Sequence, residues 1–196
     1  MILTNEIKSN RGESRDAFVV KVASISAKLG INPNWLMAVM HNESGINAQA
    51  VNKQKGDSSD PYTRSAYRAT GLIQFMPTTA IWLGTSTQAL YKMSSLEQLD
   101  YVYKYFKGFA GRIKSYFDLY MITFFPVAVG KSDDFVIQSK SVSASTIARQ
   151  NPSFDINKDF KITVGEAKTI MAKAIPAAVI NEVITMAEKK SFGLAC

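Results

Sequence analysis

The run Gly30-Ile31-Asn32-Pro33 constrains the fold more than any other feature, because it ends one helix and starts the next. Ahead of it, Phe18, Val22, Ile25 and Leu29 recur at the spacing of a helix with one buried face, over Asp16 to Leu29. Glycine readily takes the left-handed conformation that closes a helix, so Gly30 is the stop. Asn32 has a side-chain oxygen to cap a following helix, and Pro33 suits a first position that needs no N–H. A second helix is expected from about Pro33 to Asn42.

Similar punctuation continues downstream. Residues 52–70 are polar with Gly and Pro, and predict a loop with at most short strands. Pro77-Thr78-Thr79-Ala80 reads as a helix start. Ser94-Ser95-Leu96-Glu97 resembles a capped start, continued by apolar residues at 96, 99, 102, 103 and 106. Arg112 to Val129 is an apolar helical segment with a bend expected at Pro126. Ser141 to Arg149 reads as helix and Asn151 to Gly165 as loop. Glu166 to Lys190 reads as one helix, or as two interrupted near Pro176. The expectation is a mainly α fold, with a boundary in the polar break at Lys131 to Asp134.

The 196 residues are 46% hydrophobic, enough for one compact domain with a small appendage. The longest apolar stretch, Met121 to Val129, is far short of the ~20 residues of a spanning helix, and Pro126 interrupts it, so no transmembrane segment is expected. The N-terminal MILTNEIKSNRGESRD has no apolar core and does not read as a secretory signal. Cys196 is the single cysteine, which excludes an intramolecular disulfide and fits synthesis in a reducing compartment. The net charge of +7 favours polyanionic partners. The basic residues are scattered and not interleaved with aromatics, so nucleic acid is not expected.

The informative polar residue is Glu43. Met40, Val39 and Leu36 lie three, four and seven positions before it, on the same helical face. A carboxyl there is partly desolvated and near the negative end of the helix dipole, and both effects favour its protonated form. Such an acid can protonate a glycosidic oxygen. A lone glutamate at a helix end is more often a solvated group, so its context decides.

That context is Asn34-Trp35-Leu36-Met37-Ala38-Val39-Met40-His41-Asn42-Glu43-Ser44-Gly45, followed by Ala69-Thr70-Gly71-Leu72-Ile73-Gln74-Phe75-Met76-Pro77. Together these segments resemble the soluble lytic transglycosylase (SLT) family of the lysozyme-like superfamily. That family carries a Glu-Ser pair at a helix end and then a Gly-Leu-Met-Gln-Ile-Met-Pro-like motif. The resemblance implies a goose-type lysozyme-like lobe with a small β element and a cleft for peptidoglycan glycan strands. It implies cleavage of the β-1,4 bond between N-acetylmuramic acid and N-acetylglucosamine, leaving 1,6-anhydromuramoyl ends, with no cofactor for catalysis. Glu43 would be the acid and then the base. Ser44, Gly71, Gln74 and Met76 would contact substrate, Gly71 by letting backbone approach the ligand closely. The family's Ala-Tyr-Asn-Ala-Gly-like motif is replaced here by Asp118-Leu119-Tyr120-Met121-Ile122-Thr123, with Tyr120 as the candidate supporting tyrosine.

A hydrolytic lysozyme would want a second carboxylate ~5–9 Å from the first. Asp57 and Asp60 are the acids in the loop after Glu43, and their polar surroundings read as solvated loop, which favours the single-acid mechanism. Two alternatives stay open: a hydrolytic muramidase, and a virion structural or wall-binding protein that keeps the fold without turnover.

A second motif spans Asp155 to Glu166. Asp155, Asn157 and Asp159 occupy positions 1, 3 and 5 of an EF-hand-like loop, with the Lys161 carbonyl, Thr163 and Glu166 at 7, 9 and 12. This predicts a structural calcium ion. Phe160 stands where such loops want glycine, at a cost of about 1 kcal/mol. The expected organisation is a catalytic lobe over 1–135 and a helical C-terminal segment over 136–196. With no leader expected, delivery to the wall would be by other means, as a phage virion component acting beside other virion proteins or as an endolysin.

Overall fold

Helix boundaries fall where side chains satisfy the free N–H groups and where glycine turns the chain. The computed structural model describes residues 1–194, so Cys196 lies outside the described residues. The chain divides into two compact units, Met1–Gly111 and Arg112 onward.

In the first unit, α1 (Arg15–Leu29) begins at Ser14, which accepts from the Ala17 N–H, and ends at Gly30 with φ 68°. Helix α2 (Pro33–Ser44) is capped by Asn32, whose side chain accepts from the Asn34 N–H, and closed by Gly45 with φ 62°. It runs past the expected Asn42 because Gly45 is the first residue to adopt the left-handed conformation. Three short helices follow: α3 (Pro61–Ser65), α4 (Pro77–Trp82) and α5 (Thr87–Lys92). Then α6 (Ser95–Lys107) opens with a Ser94/Glu97 capping box. Helix α3 interrupts the stretch expected to be loop, with Asp60 as its cap and Pro61 at its first position.

Helix α1 packs against both α2 and α6. Phe18, Val22, Leu36, Met37, Met40, Leu99, Val102 and Phe106 are fully buried there, each contributing about 2 kcal/mol. The β element consists of isolated antiparallel bridges, Val51 to Thr70 and Thr70 to Phe75. The polar N-terminal segment, which sequence reasoning left without a role, braces the end of α2. Ile7 is buried, the Lys8 N–H donates to the Ile46 carbonyl at 3.2 Å, and Lys8 forms a parallel bridge with Asn47.

In the second unit, α7 (Tyr116–Phe124) is shorter than the expected 112–129 segment. Ser115 caps it, and Phe125 is extended at φ −157° because the residue before a proline is pushed out of the helical region. Pro126–Ala128 forms a 3-10 turn. Helix α8 (Ala144–Gln150) starts at Ser143, and α9 (Val164–Lys173) starts at a Thr163/Glu166 capping box. The expected C-terminal helix is in three pieces: α9, a 3-10 turn at Ala177–Glu182, and α10 (Met186–Ser191).

The two compact units meet at Gly111/Arg112, so α7 and the polar break at Lys131 to Asp134 both lie within the second unit. The apolar face of α7 is completed by the C-terminal elements. The Tyr116 hydroxyl donates to the Met171 carbonyl at 3.2 Å, Phe117 packs on Phe192 at 5.0 Å, and Phe124 stacks on Phe154 at 4.5 Å. Among the described residues, no helix is long and apolar enough to cross a membrane.

Candidate active site

Glu43 stands in the last turn of α2, half-buried. The chain leaves the helix abruptly: the Gly45 N–H donates to the His41 carbonyl at 2.8 Å and the Ile46 N–H to the Met40 carbonyl at 3.2 Å. Ile46 takes φ 51°, a left-handed conformation that a β-branched residue rarely adopts. The ~1–2 kcal/mol of strain is offset by ~2 kcal/mol from its fully buried side chain. This sharp turn keeps Glu43 at the exposed end of the helix.

Ser44 positions the turn from within. Its hydroxyl proton is shared between the carbonyls of Met40 (3.0 Å) and Leu72 (2.9 Å), and its oxygen accepts from the Asn47 N–H at 3.2 Å. With its one proton engaged on backbone, Ser44 joins the end of α2 to the Gly71–Gln74 turn, where a substrate contact had been expected.

That turn is closed by paired bonds between the backbones of Thr70 and Phe75, at 3.0 and 2.9 Å. Gly71 has φ 86°, and a Cβ placed on it would collide with Gln98 Oε1. On the side where a Cβ would stand, the close approach to Gly71 is made by this buried side chain. Gln98, on α6, accepts from the Leu72 N–H at 3.0 Å and donates to the carbonyls of Ala48 (2.6 Å) and Leu90 (2.7 Å). It is fully buried. Sequence reasoning passed over Gln98; a glutamine between core-facing Ser95 and Leu99 was the available signal.

Gln74 has φ 50°, and its amide nitrogen donates to the carbonyls of Gly71 (3.1 Å) and Ala50 (3.3 Å), so it locks its own turn. Met76 is 54% exposed, which excludes a core role. On the adjoining α4, Ile81 and Trp82 are exposed as well.

Tyr105, on α6, lies within the field of Glu43. Burial pushes its phenol up to about 12, and the negative charge of Glu43 pushes in the same direction. The phenol therefore keeps its proton at any physiological pH. Phe75 packs edge-on against its ring at 6.3 Å, which ties the Gly71–Met76 segment to α6. Tyr120, the expected supporting residue, stands on α7 in the second unit, against Tyr116 at 5.9 Å. Sequence reasoning did not single out Tyr105.

Both loop acids are committed elsewhere. Asp57 forms a two-pronged pair with Arg68, at 2.8 and 2.9 Å, and the Arg68 hydrogen bonds hold its carboxyl below the usual range. Asp60 caps α3, and the Thr63 hydroxyl and N–H lower its carboxyl likewise.

In the second unit, the Asp155–Glu166 loop has the side-chain-to-backbone bonds of its motif. Asp155 accepts from the Phe160 N–H at 3.2 Å, Asn157 from the Asp159 N–H at 3.0 Å, and Asp159 from the Lys161 N–H at 2.9 Å. Glu166 accepts from Thr163, through both its N–H and its hydroxyl, each at 2.9 Å. Among the described residues, no three His, Cys, Asp or Glu side chains already converge as a metal cluster.

Neither the curated proteins nor the solved structures gave a match. Residues 22–104 match the family described as Transglycosylase SLT domain. The matched stretch runs from within α1 to near the end of α6, taking in Glu43, the Gly71–Pro77 segment and Gln98. This likeness, with the mainly α architecture, supports the SLT, lysozyme-like family and, in general terms, lytic transglycosylase-type action on peptidoglycan.

Proposed function

We propose that the protein cleaves the β-1,4 bond between N-acetylmuramic acid and N-acetylglucosamine in peptidoglycan, as a lytic transglycosylase with Glu43 as its single acid and base. The observation that carries this reading is a half-buried carboxyl at a helix end, with the protonated phenol of Tyr105 in its field. Protonated Glu43 donates to the glycosidic oxygen as the bond to C1 breaks. The resulting carboxylate then takes the proton of the muramic acid C6 hydroxyl as its oxygen closes on C1. That gives a 1,6-anhydro end and consumes no water. Tyr105 steadies the carboxylate between the two steps. The exposed Met76 offers an apolar contact to the sugar chain.

The pairing of Asp57 with Arg68 and the capping role of Asp60 favour this route over one needing a second catalytic carboxylate. Glu43→Gln is expected to lower release of soluble muropeptides from purified sacculi by about 100-fold or more, with the melting temperature preserved. Retained activity would remove Glu43 from the mechanism. Mass spectrometry of wild-type products separates anhydro ends, the expected result, from the reducing ends of a hydrolase. Sacculus binding by the wild type without any soluble product would point to a wall-binding protein.

A further inference from the structure

We infer that the Asp155–Glu166 loop is a calcium site, built around one orphaned carboxylate oxygen. Asp155 is 5% exposed, and its Oδ1 is buried with no hydrogen-bond partner. Its other oxygen is held by the Phe160 N–H at 3.2 Å, which turns the carboxylate inward across the loop. A buried anionic oxygen with no donor is strongly disfavoured unless a cation meets it. Among the described residues, no lysine or arginine ion pair reaches Asp155; the nearby Lys158 gives its ammonium to the Pro152 carbonyl at 2.7 Å.

The ligand positions of the motif have the chemistry of a hard divalent ion. They are carboxylates at Asp155, Asp159 and Glu166, an amide oxygen at Asn157 and the Lys161 carbonyl, all oxygen, with no thiol or imidazole. The backbone is already bent for the purpose. Phe160 takes φ 65°, the left-handed conformation that such loops ordinarily reserve for glycine. Ile162 is fully buried, its carbonyl accepts from the Ile137 N–H at 2.8 Å, and Thr163 bridges to Val136, so the loop has an anchored wall. Glu166 closes the far side, accepting from the N–H groups of Ile156 (3.1 Å) and Asn157 (3.3 Å). Calcium at Asp155 Oδ1 would be held by Asp159 and Glu166 as well, in competition with these backbone donors for the Glu166 oxygens. Magnesium, smaller and stricter in its geometry, fits a loop of this reach less well.

The test is calorimetric titration of chelator-stripped full-length protein with calcium chloride, with magnesium chloride in parallel, together with thermal melts. One calcium per chain is expected, with Kd of about 10⁻⁵ to 10⁻⁴ M. A hundredfold excess over Kd should raise the melting temperature by about 5 °C or more. Asp159→Asn keeps an oxygen for the Lys161 N–H but removes one charge; it should weaken binding about tenfold and leave the metal-free melt unchanged. Asp155→Asn should abolish the calcium-dependent rise without lowering the metal-free melting temperature, because it removes an uncompensated buried charge. Absence of both heat and melting shift at 10 mM calcium, wild-type affinity in Asp159→Asn, or equal response to magnesium would each overturn the assignment. None of these readouts depends on glycan cleavage.

Discussion

Gly71 and Gln98 are one device made of two residues. The glycine leaves room for a buried amide, and the amide holds the turn that the glycine makes possible. Gly71→Ala places a methyl group against Gln98 Oε1 in a left-handed conformation, and should cost about 2–4 kcal/mol by chemical denaturation. Gln98→Ala leaves the Leu72 N–H and the Ala48 and Leu90 carbonyls without their partner, and should cost about 3 kcal/mol. In the double variant the clash has no second party. The alanine at 71 should then add only the ~1 kcal/mol of backbone strain. Simple additivity would refute the coupling.

At the scale of elements, α1 is the shared surface on which α2 and α6 are set. That arrangement brings Tyr105 of α6 to Glu43 of α2, although the two are far apart in sequence. Ser44 makes the other junction, tying α2 to the Gly71–Gln74 turn through the Leu72 carbonyl. Tyr105→Phe should lower turnover on sacculi about tenfold, by removing the hydroxyl dipole from the field of Glu43, with little change in melting temperature. Because the phenol titrates only near 12, its loss should not remove a limb from the pH–rate profile between pH 5 and 9. Unchanged turnover would leave Tyr105 as core packing alone.

At the scale of the whole molecule, Glu13 is the acid-sensitive clasp of the first unit. Burial works against its charge, but the N–H groups of Ser95 (2.6 Å) and Arg11 (2.8 Å) overcome that and bring its carboxyl down to about 2. It thereby pins the N-terminal segment to the start of α6. A depressed carboxyl stabilises above its ordinary value near 4.5 and loses that contribution as pH falls from there towards 2. The contribution is about 1 kcal/mol after screening by nearby solvent. Glu13→Gln should therefore be less stable than wild type at pH 7, and the difference should vanish by pH 2. A constant difference across that range would show that the charge is not what holds the clasp.

Local chemistry determined much of this protein before any tertiary contact was considered. Glycine stops, Asn and Ser caps and first-turn prolines act through bonds within a few residues, so Gly30, Asn32, Pro33 and the Ser94/Glu97 box could be read directly from the sequence. The placement of Glu43 on the last turn of α2 followed from the same rules. The tertiary structure alone decided which distant groups meet. Gln98 became the partner of Gly71, Tyr105 came into the field of Glu43, and the apolar α7 joined the C-terminal unit. The physical reason is that burial and close approach depend on how helices are laid against one another. Helical periodicity marks which face is buried, but not which residue lies opposite it.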